Sequence, residues 1–310
     1  MHKALFSLNF LTILVLTVVP FSGMAFDLKS AYDAIAKKQY KQAIEIVRPM
    51  LSEAIGDDLG NCYYVIGYCN EKTNELEKAM ENYLLALEHF KELEMQLRVN
   101  NNIAYILREL DLNKEALPYL NFIKRYGKPA SKSVNYALYN SALALSSLEK
   151  FEEALTNVDS AISMSQARND LKVELESILA KGLIYRRADE HELAKAHYQQ
   201  LIDLHDFAVS SEEMTEYLSL YKINAHRAKH NLAYLQLSLA DTISALENFH
   251  LALQLTNSNY ERFVTLKEIG EIYYYASNTS KAKRYLYKAY QQVTESDIKG
   301  NIDDLEIYGL

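Results

Sequence analysis

Residues 60–86 read GNCYYVIGYCNEKTNELEKAMENYLLA, and this stretch decides the fold. Gly67 lies twelve residues before Ala79. Tyr83 and Ala86 follow that alanine by four and seven residues, a spacing that places all three side chains on one face of a helix. Helices pack most closely where small side chains face each other. The stretch therefore predicts two antiparallel helices that meet at Gly67 and Ala79.

The same frame occurs seven times along the chain, always as a small residue followed twelve positions later by alanine. The pairs are Ala31 with Ala43, Gly67 with Ala79, Ala104 with Ala116, Ala142 with Ala154, Gly182 with Ala194, Ala233 with Ala245, and Gly270 with Ala282. An aromatic or aliphatic residue lies four positions after each second-helix alanine, at Val47, Tyr83, Leu120, Val158, Tyr198, Phe249 and Leu286. This regularity predicts an array of about seven helical hairpins.

The composition agrees with an all-α fold. Only nine glycines and four prolines occur among 310 residues, whereas β-sandwiches, barrels and doubly wound sheets need frequent tight turns. Apolar residues make up 49% of the chain, which is enough for a sizeable core and excludes disorder.

The repeated frame resembles the tetratricopeptide repeat. Tyr63, Ile66 and Gly67 match the first helix of that motif, and Ala79 followed after three residues by Tyr83 matches the second. The resemblance implies a right-handed superhelical α-solenoid over residues 26–294. Its repeats are expected near residues 27–54, 59–92, 96–126, 131–166, 173–206, 211–257 and 261–294.

Two departures from the motif carry structural predictions. The second-helix alanines of repeats five and six are 51 residues apart, against 36 to 40 elsewhere. The insertion falls near residues 207–225, where Ser210 and Ser211 precede two glutamates in an N-cap pattern. It predicts a lengthened first helix for repeat six, with a separate extra helix as the alternative. Pro118 lies inside the second helix of repeat three and is predicted to kink it.

The N-terminus has the pattern of a secretory signal peptide. Lys3 precedes an uncharged run over residues 4–19, and Gly23 and Ala25 stand where a signal peptidase reads small residues. Residues 1–25 are predicted to be removed after Ala25, which makes the protein periplasmic or secreted. The alternative is an uncleaved anchor, although the apolar run is shorter than the ~20 residues of a spanning helix. No later segment is expected to cross a membrane.

The C-terminal residues 295–310 are acidic, with five carboxylates against Lys299. Ile298, Ile302, Leu305 and Ile307 lie among those acids. The segment is expected either to cap the last repeat or to hang free as a peptide for a partner.

Several classes of chemistry are disfavoured. The net charge of −8 argues against a nucleic-acid partner. No glycine-rich phosphate loop and no Gly-x-Ser-x-Gly element occurs, so the protein is predicted not to be an enzyme and to need no cofactor. His226 and His230 share a helical face, but the cations Arg227 and Lys229 between them disfavour a metal. Cys62 and Cys69 would lie ~10 Å apart along one helix, too far for a disulfide.

Candidate binding residues follow from the resemblance, in which first helices line a concave groove. Asn102, Asn140 and Asn231 stand two residues before the small residue, where related repeats use asparagine to pair with a peptide backbone. The alternative is that each asparagine is solvated or caps a neighbour.

Basic and aromatic residues surround those asparagines. Helical spacing places Arg98, Asn101, Tyr105 and Arg108 on one face in repeat three, and Arg227, His230 and Tyr234 on one face in repeat six. Such faces suit an acidic peptide or a C-terminal carboxylate, and scattered surface charge is the alternative. At least one of the three consecutive tyrosines 273–275 is also expected to meet solvent or a partner.

The sequence thus favours a non-enzymatic scaffold or adaptor that binds a peptide or partner helix in the periplasm. The alternative is a periplasmic sensory module that partners a membrane signalling protein such as a diguanylate cyclase or a kinase. No oligomeric state is predicted.

Overall fold

The structure is a computed structural model that describes residues 28–294, with side chains described as far as residue 292. All regular secondary structure in that part of the chain is helical, and it contains no strand. The predicted signal peptide, its cleavage site and the acidic segment 295–310 lie outside the described residues.

Fourteen α-helices occur in the described range. In chain order they are α1 (Lys29–Ala36), α2 (Tyr40–Val47), α3 (Gly56–Lys72), α4 (Leu76–His89), α5 (Leu93–Glu109), α6 (Asn113–Tyr126), α7 (Lys132–Ser147), α8 (Phe151–Ala167), α9 (Leu171–Arg187), α10 (His191–Ser210), α11 (Leu218–Ser238), α12 (Thr242–Leu255), α13 (Asn259–Tyr275) and α14 (Thr279–Thr294). Two 3₁₀-helices occupy Arg48–Ser52 and Glu212–Tyr217. The odd-numbered helices are the first helices of the predicted hairpins and the even-numbered ones are the second. The predicted all-α solenoid of about seven hairpins is confirmed.

The connection from each first helix to its second helix always has three residues. Its middle residue is left-handed in all seven cases, with φ between 58° and 62°, at Lys38, Asn74, Asp111, Glu149, Asp189, Ala240 and Ser277. In the second hairpin the Glu75 N–H donates to the carbonyl of Asn70 at 2.8 Å. This is the Schellman arrangement, in which glycine usually takes the left-handed position. None of the seven is glycine, which accounts in part for the low glycine content.

The small residues of the repeated frame lie in the hairpin cores. Ala31, Ala104, Ala142 and Ala233 are fully buried, as are the second-helix alanines Ala43, Ala79, Ala116, Ala154, Ala194 and Ala245. A Cβ atom added to Gly67 would lie 3.2 Å from the Ala79 carbonyl oxygen and 2.8 Å from the Tyr83 ring. The glycine is therefore required by close approach of the two helices.

The chain divides into two compact units, with the boundary after Leu148. In unit 1 each helix contacts the next from α1 to α7, and the first helices α5 and α7 also touch each other. A core cluster of unit 1 joins α1, α2 and α3 through Ala31, Val47, Cys62 and Val65.

Unit 2 is built in the same way. Each helix contacts the next from α8 to α14, and the first helices α9 and α11 touch each other. Tyr198, Leu201, Tyr221 and Leu232 belong to one core cluster that spans α10 and α11. Within residues 28–294 no helix has both the length and the apolarity needed to cross a bilayer.

The inserted residues between repeats five and six are distributed over three helices. α11 has 21 residues, which confirms the lengthened first helix of repeat six, and no separate α-helix forms within residues 207–225. α10 also extends to Ser210, and the 3₁₀-helix Glu212–Tyr217 follows it. Ser211 stands at the N-cap position of this 3₁₀-helix and not at the start of α11, and the predicted capping by its side chain is wrong. Ser211 makes no side-chain capping bond, and the Ser210 hydroxyl donates to the Phe207 carbonyl at 2.8 Å within its own helix.

Two smaller predictions concern single residues. Cys62 and Cys69 are both free and buried on α3, as expected. Burial raises the pKa of the Cys62 thiol to about 11 and that of Cys69 to about 12. α6 continues as a helix through Pro118, and the kink there stays a prediction.

Candidate functional site

Polar side chains from three first helices of unit 1 lie together. They are Tyr64 and Glu71 on α3, Arg98, Asn102, Tyr105 and Arg108 on α5, and Asn140 on α7, and we call them the unit 1 cluster. In each hairpin, the residues of the cluster lie on the face of the first helix that surrounds the small residue of the repeat.

Arg108 is the central cation of this cluster. Its Nη1 donates to the Asn140 Oδ1 atom at 2.6 Å, and its buried Nε has no hydrogen-bond partner among residues 28–294. No carboxylate in that range forms an ion pair with it. Burial lowers the pKa of Arg108, opposed by the nearby Tyr139 hydroxyl and by the charge of Glu109. The guanidinium is thus partly withdrawn from water, and residues 28–294 provide no ion pair for it.

Glu71 is an acid of the cluster, and its carboxylate already has an ion-pair partner and a hydrogen-bond donor. The Lys72 Nζ lies 2.7 Å from its Oε1, and the Tyr83 hydroxyl donates to its Oε2 at 2.8 Å. Burial, followed by the Glu71 charge, raises the pKa of Tyr83 well above its ordinary value. Glu71 therefore fixes the second helix of its own hairpin.

Asn102 and Arg98 surround the Tyr64 hydroxyl. Burial raises the pKa of Tyr64 to about 12, and the Arg98 charge and a hydrogen bond from Asn102 oppose that rise. The neighbouring Asn101 keeps a buried Oδ1 that has no hydrogen-bond partner within the described residues. Burial also raises the pKa of Tyr105, which lies beside Arg108 and Glu109.

A second polar group, the unit 2 cluster, consists of Arg186 on α9, Tyr234 on α11 and Glu268 on α13. The Arg186 guanidinium lies 5.9 Å from the centre of the Tyr234 ring. The Tyr234 hydroxyl donates to the Glu268 Oε1 atom at 2.6 Å. Burial and the Glu268 charge raise the pKa of Tyr234. Glu268 therefore accepts from the tyrosine over which Arg186 lies, and the buried Nε of Arg186, like that of Arg108, has no hydrogen-bond partner within the described residues.

Three predicted groove residues are buried in this structure, and their contact with a ligand stays a prediction. His230 is 1% exposed, and its ring centre lies 4.9 Å from that of Tyr234 and 5.0 Å from that of Phe249. Asn231 is 8% exposed, and its Nδ2 donates to the Arg227 carbonyl of its own helix at 2.9 Å. Asn140 is 3% exposed and orients Arg108.

The remaining predicted residues keep partial exposure. Arg98, Asn101, Asn102, Tyr105 and Arg108 are half-buried in unit 1, and the structure brings four of them into one cluster. Arg227 and Tyr234 are half-buried in unit 2, but Tyr234 is engaged by Glu268. Unit 1 therefore offers the more open site.

The histidine pair of α11 is structural. His226 lies with its Nδ1 3.0 Å from the Ala252 carbonyl and its Nε2 3.6 Å from Glu261, and the His230 Nδ1 lies 3.3 Å from the Thr265 hydroxyl. Burial lowers the pKa of His226, and it lowers that of His230 to about 3. Both rings hold together the first helices α11 and α13 and the second helix α12. No set of three metal-ligating side chains is grouped in the described part of the chain.

Sequence reasoning missed Glu71 and Arg186, although a signal for them exists. Glu71, Arg108 and Arg186 all stand four residues after the small residue of their repeats. In unit 1 this position faces the next first helix, since Arg108 contacts Asn140 of the following repeat. A search at that offset would have found all three charges.

The exposed tyrosines were anticipated in part. Tyr274 and Tyr275 are 49% and 72% exposed, which confirms that at least one residue of that run meets solvent. Tyr273 is instead half-buried and stacks on Tyr285 at 5.6 Å between ring centres.

Two segments of the chain match a known family model. Residues 60–88 and 175–204 match the tetratricopeptide repeat, and they form most of α3 with α4 and of α9 with α10. No curated protein matches the chain significantly in sequence.

Solved structures share the fold at low sequence identity. A tetratricopeptide repeat protein from Parabacteroides merdae matches with a TM-score of 0.65 and 14% identity, over 90% of this chain and 97% of its own. NprR in complex with its cognate peptide NprX matches with a TM-score of 0.58 and 13% identity, over 91% and 82%. A Rap protein complexed with competence and sporulation factor matches with a TM-score of 0.57 and 12% identity, over 91% and 94%.

Proposed function

Because the protein is of the tetratricopeptide-repeat type, we propose that it is a non-enzymatic binding protein that takes up a polypeptide at the unit 1 cluster. The observation that carries this proposal is the half-buried Arg108, which has a hydrogen bond to Asn140 but no ion pair within the described residues. The ligand is a peptide, or a segment of a protein, that presents an acidic side chain or a C-terminal carboxylate.

The electrostatics of Arg108 favour an anionic ligand. A cation removed from water without a counter-ion destabilises the protein that contains it. A carboxylate placed against the guanidinium restores that loss through charge-assisted hydrogen bonds, which are stronger than neutral ones. Asn140 accepts from Nη1, and the half-buried guanidinium makes no other hydrogen bond among residues 28–294, so its remaining exposed donors can meet a carboxylate.

The surrounding residues suit a peptide rather than a small anion. The half-buried Asn101 side chain makes no hydrogen bond within the described residues, so its Nδ2 can donate to a backbone carbonyl of a peptide. Tyr105 and Arg98 extend the half-buried polar surface along α5, where an extended chain can lie. NprR and the Rap protein, which share the fold, are solved with a cognate peptide and with competence and sporulation factor, and this supports the choice of ligand.

The proposal includes export, since Lys3, the uncharged run after it and Ala25 form a signal-peptide pattern. The protein then acts in the periplasm as an adaptor that holds a partner polypeptide. N-terminal sequencing of the protein from a periplasmic fraction tests this part, with Phe26 expected as the first residue.

A sensory role is the second candidate, and the similarity to NprR with its cognate peptide favours it. The protein would bind a peptide signal and pass the information to a membrane signalling protein. Co-purification from detergent-solubilised membranes with and without added peptide separates the two roles, because a sensor changes its membrane partner with ligand and an adaptor does not.

Binding to an array of short peptides with acidic, neutral and basic sequences tests the site. We expect the wild type to retain acidic peptides and Arg108→Gln to bind them at least about tenfold more weakly. Arg125→Gln, which removes an exposed arginine of the second helix α6, is the matched control and should bind like the wild type. Equal binding by all three proteins, each with an unchanged circular dichroism spectrum, would contradict the proposal.

A further inference from the structure

The last described helix, α14, has an unusual outer surface. Its residues Lys281, Lys283, Arg284, Tyr287, Lys288 and Tyr290 are all exposed, and we call them the α14 outer face. The helix contains four cations and no acidic residue, in a chain whose net charge is −8. Its opposite side, with Ala282, Leu286 and Ala289, is buried.

The cations of this face have no acidic partner within residues 28–294. Lys281 and Lys288 lie over the rings of Tyr273 and Tyr285, at 4.8 and 5.6 Å from the ring centres. Lys283 and Arg284 form no ion pair in the described part of the chain. Tyr287 and Tyr290 are 56% and 38% exposed, so apolar surface lies among the charges. A fitting partner is therefore acidic and carries apolar side chains.

The chain supplies such a partner directly after α14. Residues 295–310 contain Glu295, Asp297, Asp303, Asp304 and Glu306 against one lysine, with Ile298, Ile302, Leu305 and Ile307 among them. α14 has 16 residues and is about 24 Å long. A 16-residue segment spans roughly 50 Å when extended, so it can reach every cation of the face from its attachment at Thr294.

We infer that residues 295–310 bind the α14 outer face of the same molecule. The covalent link favours this segment over other acidic ligands, because a linked segment is present at an effective concentration of about 1 mM near the face. A free acidic protein, a second copy of the chain or an anionic lipid surface must bind more tightly than that to displace it. The face is accordingly covered in the isolated protein and becomes available only when the segment is released.

A zero-length carbodiimide cross-linker, which joins a carboxylate to an amine in direct contact, tests this on the full chain. We expect links from Asp303, Asp304 or Glu306 to Lys283 or Lys288. An equal mixture of unlabelled and nitrogen-15-labelled protein shows whether each link joins one molecule or two. Links within one label class support the inference, whereas mixed-label links, links to other lysines or no link from the segment would overturn it.

Acetylation of lysines, read by mass spectrometry, gives a second measurement. Individual exposed ion pairs are weak, but three together should give about a five-fold rise in acetylation of Lys283 and Lys288, relative to Lys114, in D303N/D304N/E306Q. The matched control E212Q/E213Q/E216Q removes three exposed acids of the 3₁₀-helix and should leave the labelling unchanged. Equal acetylation of Lys283 and Lys288 in both variants would count against residues 295–310 as the segment that covers this face. Protection of these lysines that requires added phosphatidylglycerol vesicles would count against it as well.

Discussion

The contact between Gly182 and Tyr198 provides a quantitative test of the hairpin packing. A Cβ atom added to Gly182 would lie 2.7 Å from Cε1 and 2.9 Å from Cδ1 of the fully buried Tyr198 ring. Substitution of Gly182 by alanine should gain about 1 kcal/mol from helix propensity and lose about 1–3 kcal/mol from overpacking. We expect a net loss of about 1 kcal/mol in the free energy of unfolding.

The sign should reverse when the ring is removed. In a Tyr198→Val background the nearest contacts of the added methyl group disappear, because all three were to ring atoms that valine lacks. Gly182→Ala should then stabilise that variant by about 1 kcal/mol, which gives a coupling of about 2 kcal/mol between the two sites. At the corresponding positions the chain itself combines Ala142 with Val158.

Urea unfolding of the four proteins, followed by circular dichroism, measures this cycle. The slope of the unfolding free energy against urea should be the same in all four, so that midpoints can be compared. At Gly67 the added Cβ would lie 2.8 Å from the Tyr83 ring and also 3.2 Å from the Ala79 carbonyl oxygen, so removal of that ring should relieve only part of the loss. If Gly182→Ala changed stability equally in both backgrounds, within ~0.5 kcal/mol, the packing argument would be refuted.

Three further predictions concern buried groups. The pKa of His230 is lowered to about 3 from an ordinary 6.5, so the unfolded chain gains a proton first as the pH falls. The stability that neutral His230 contributes is complete above pH 6.5 and is lost towards pH 3, by at most about 1.4 kcal/mol per pH unit. In urea titrations between these two pH values, the free energy of unfolding of His230→Gln should fall less steeply than that of the wild type. Burial raises the pKa values of Cys62 and Cys69 to about 11 and 12. A thiol reagent at pH 8 should therefore label neither cysteine in the folded protein and both in urea. Rapid labelling without urea would argue against their burial. Tyr234→Phe removes the 2.6 Å hydrogen bond to Glu268 and should cost about 1 kcal/mol, whereas Tyr287→Phe on the exposed face should change the unfolding midpoint little.

The sequence predicted the hairpins well because the two helices of every hairpin pack in the same way. Small residues such as Ala104 and Ala116 must face each other, and the next packing residue must follow at helical spacing, so one frame describes all seven repeats. The connections are also local, with three residues each. Periodicity is sufficient for such a fold because the relevant contacts lie close together in sequence.

The site was predicted less well because exposure depends on the neighbouring repeat. Helical spacing placed His230 on the same face as Arg227, but Phe249 on α12 and Thr265 on α13 cover the histidine ring. Asn140, predicted to contact a ligand, accepts a hydrogen bond from Arg108 of the preceding repeat. Those contacts join residues 19 to 35 positions apart, and a pattern within one helix does not contain them.

The left-handed residues of the seven connections bear on how this protein could be engineered. Lys38, Glu149, Ala240 and Ser277 occupy a backbone conformation that costs an L-residue with a Cβ atom roughly 1 kcal/mol compared with glycine. A glycine at each of these positions would stabilise its own hairpin and leave the side chains of the unit 1 cluster untouched. Resistance to heat could therefore be adjusted in graded steps, hairpin by hairpin, independently of ligand affinity.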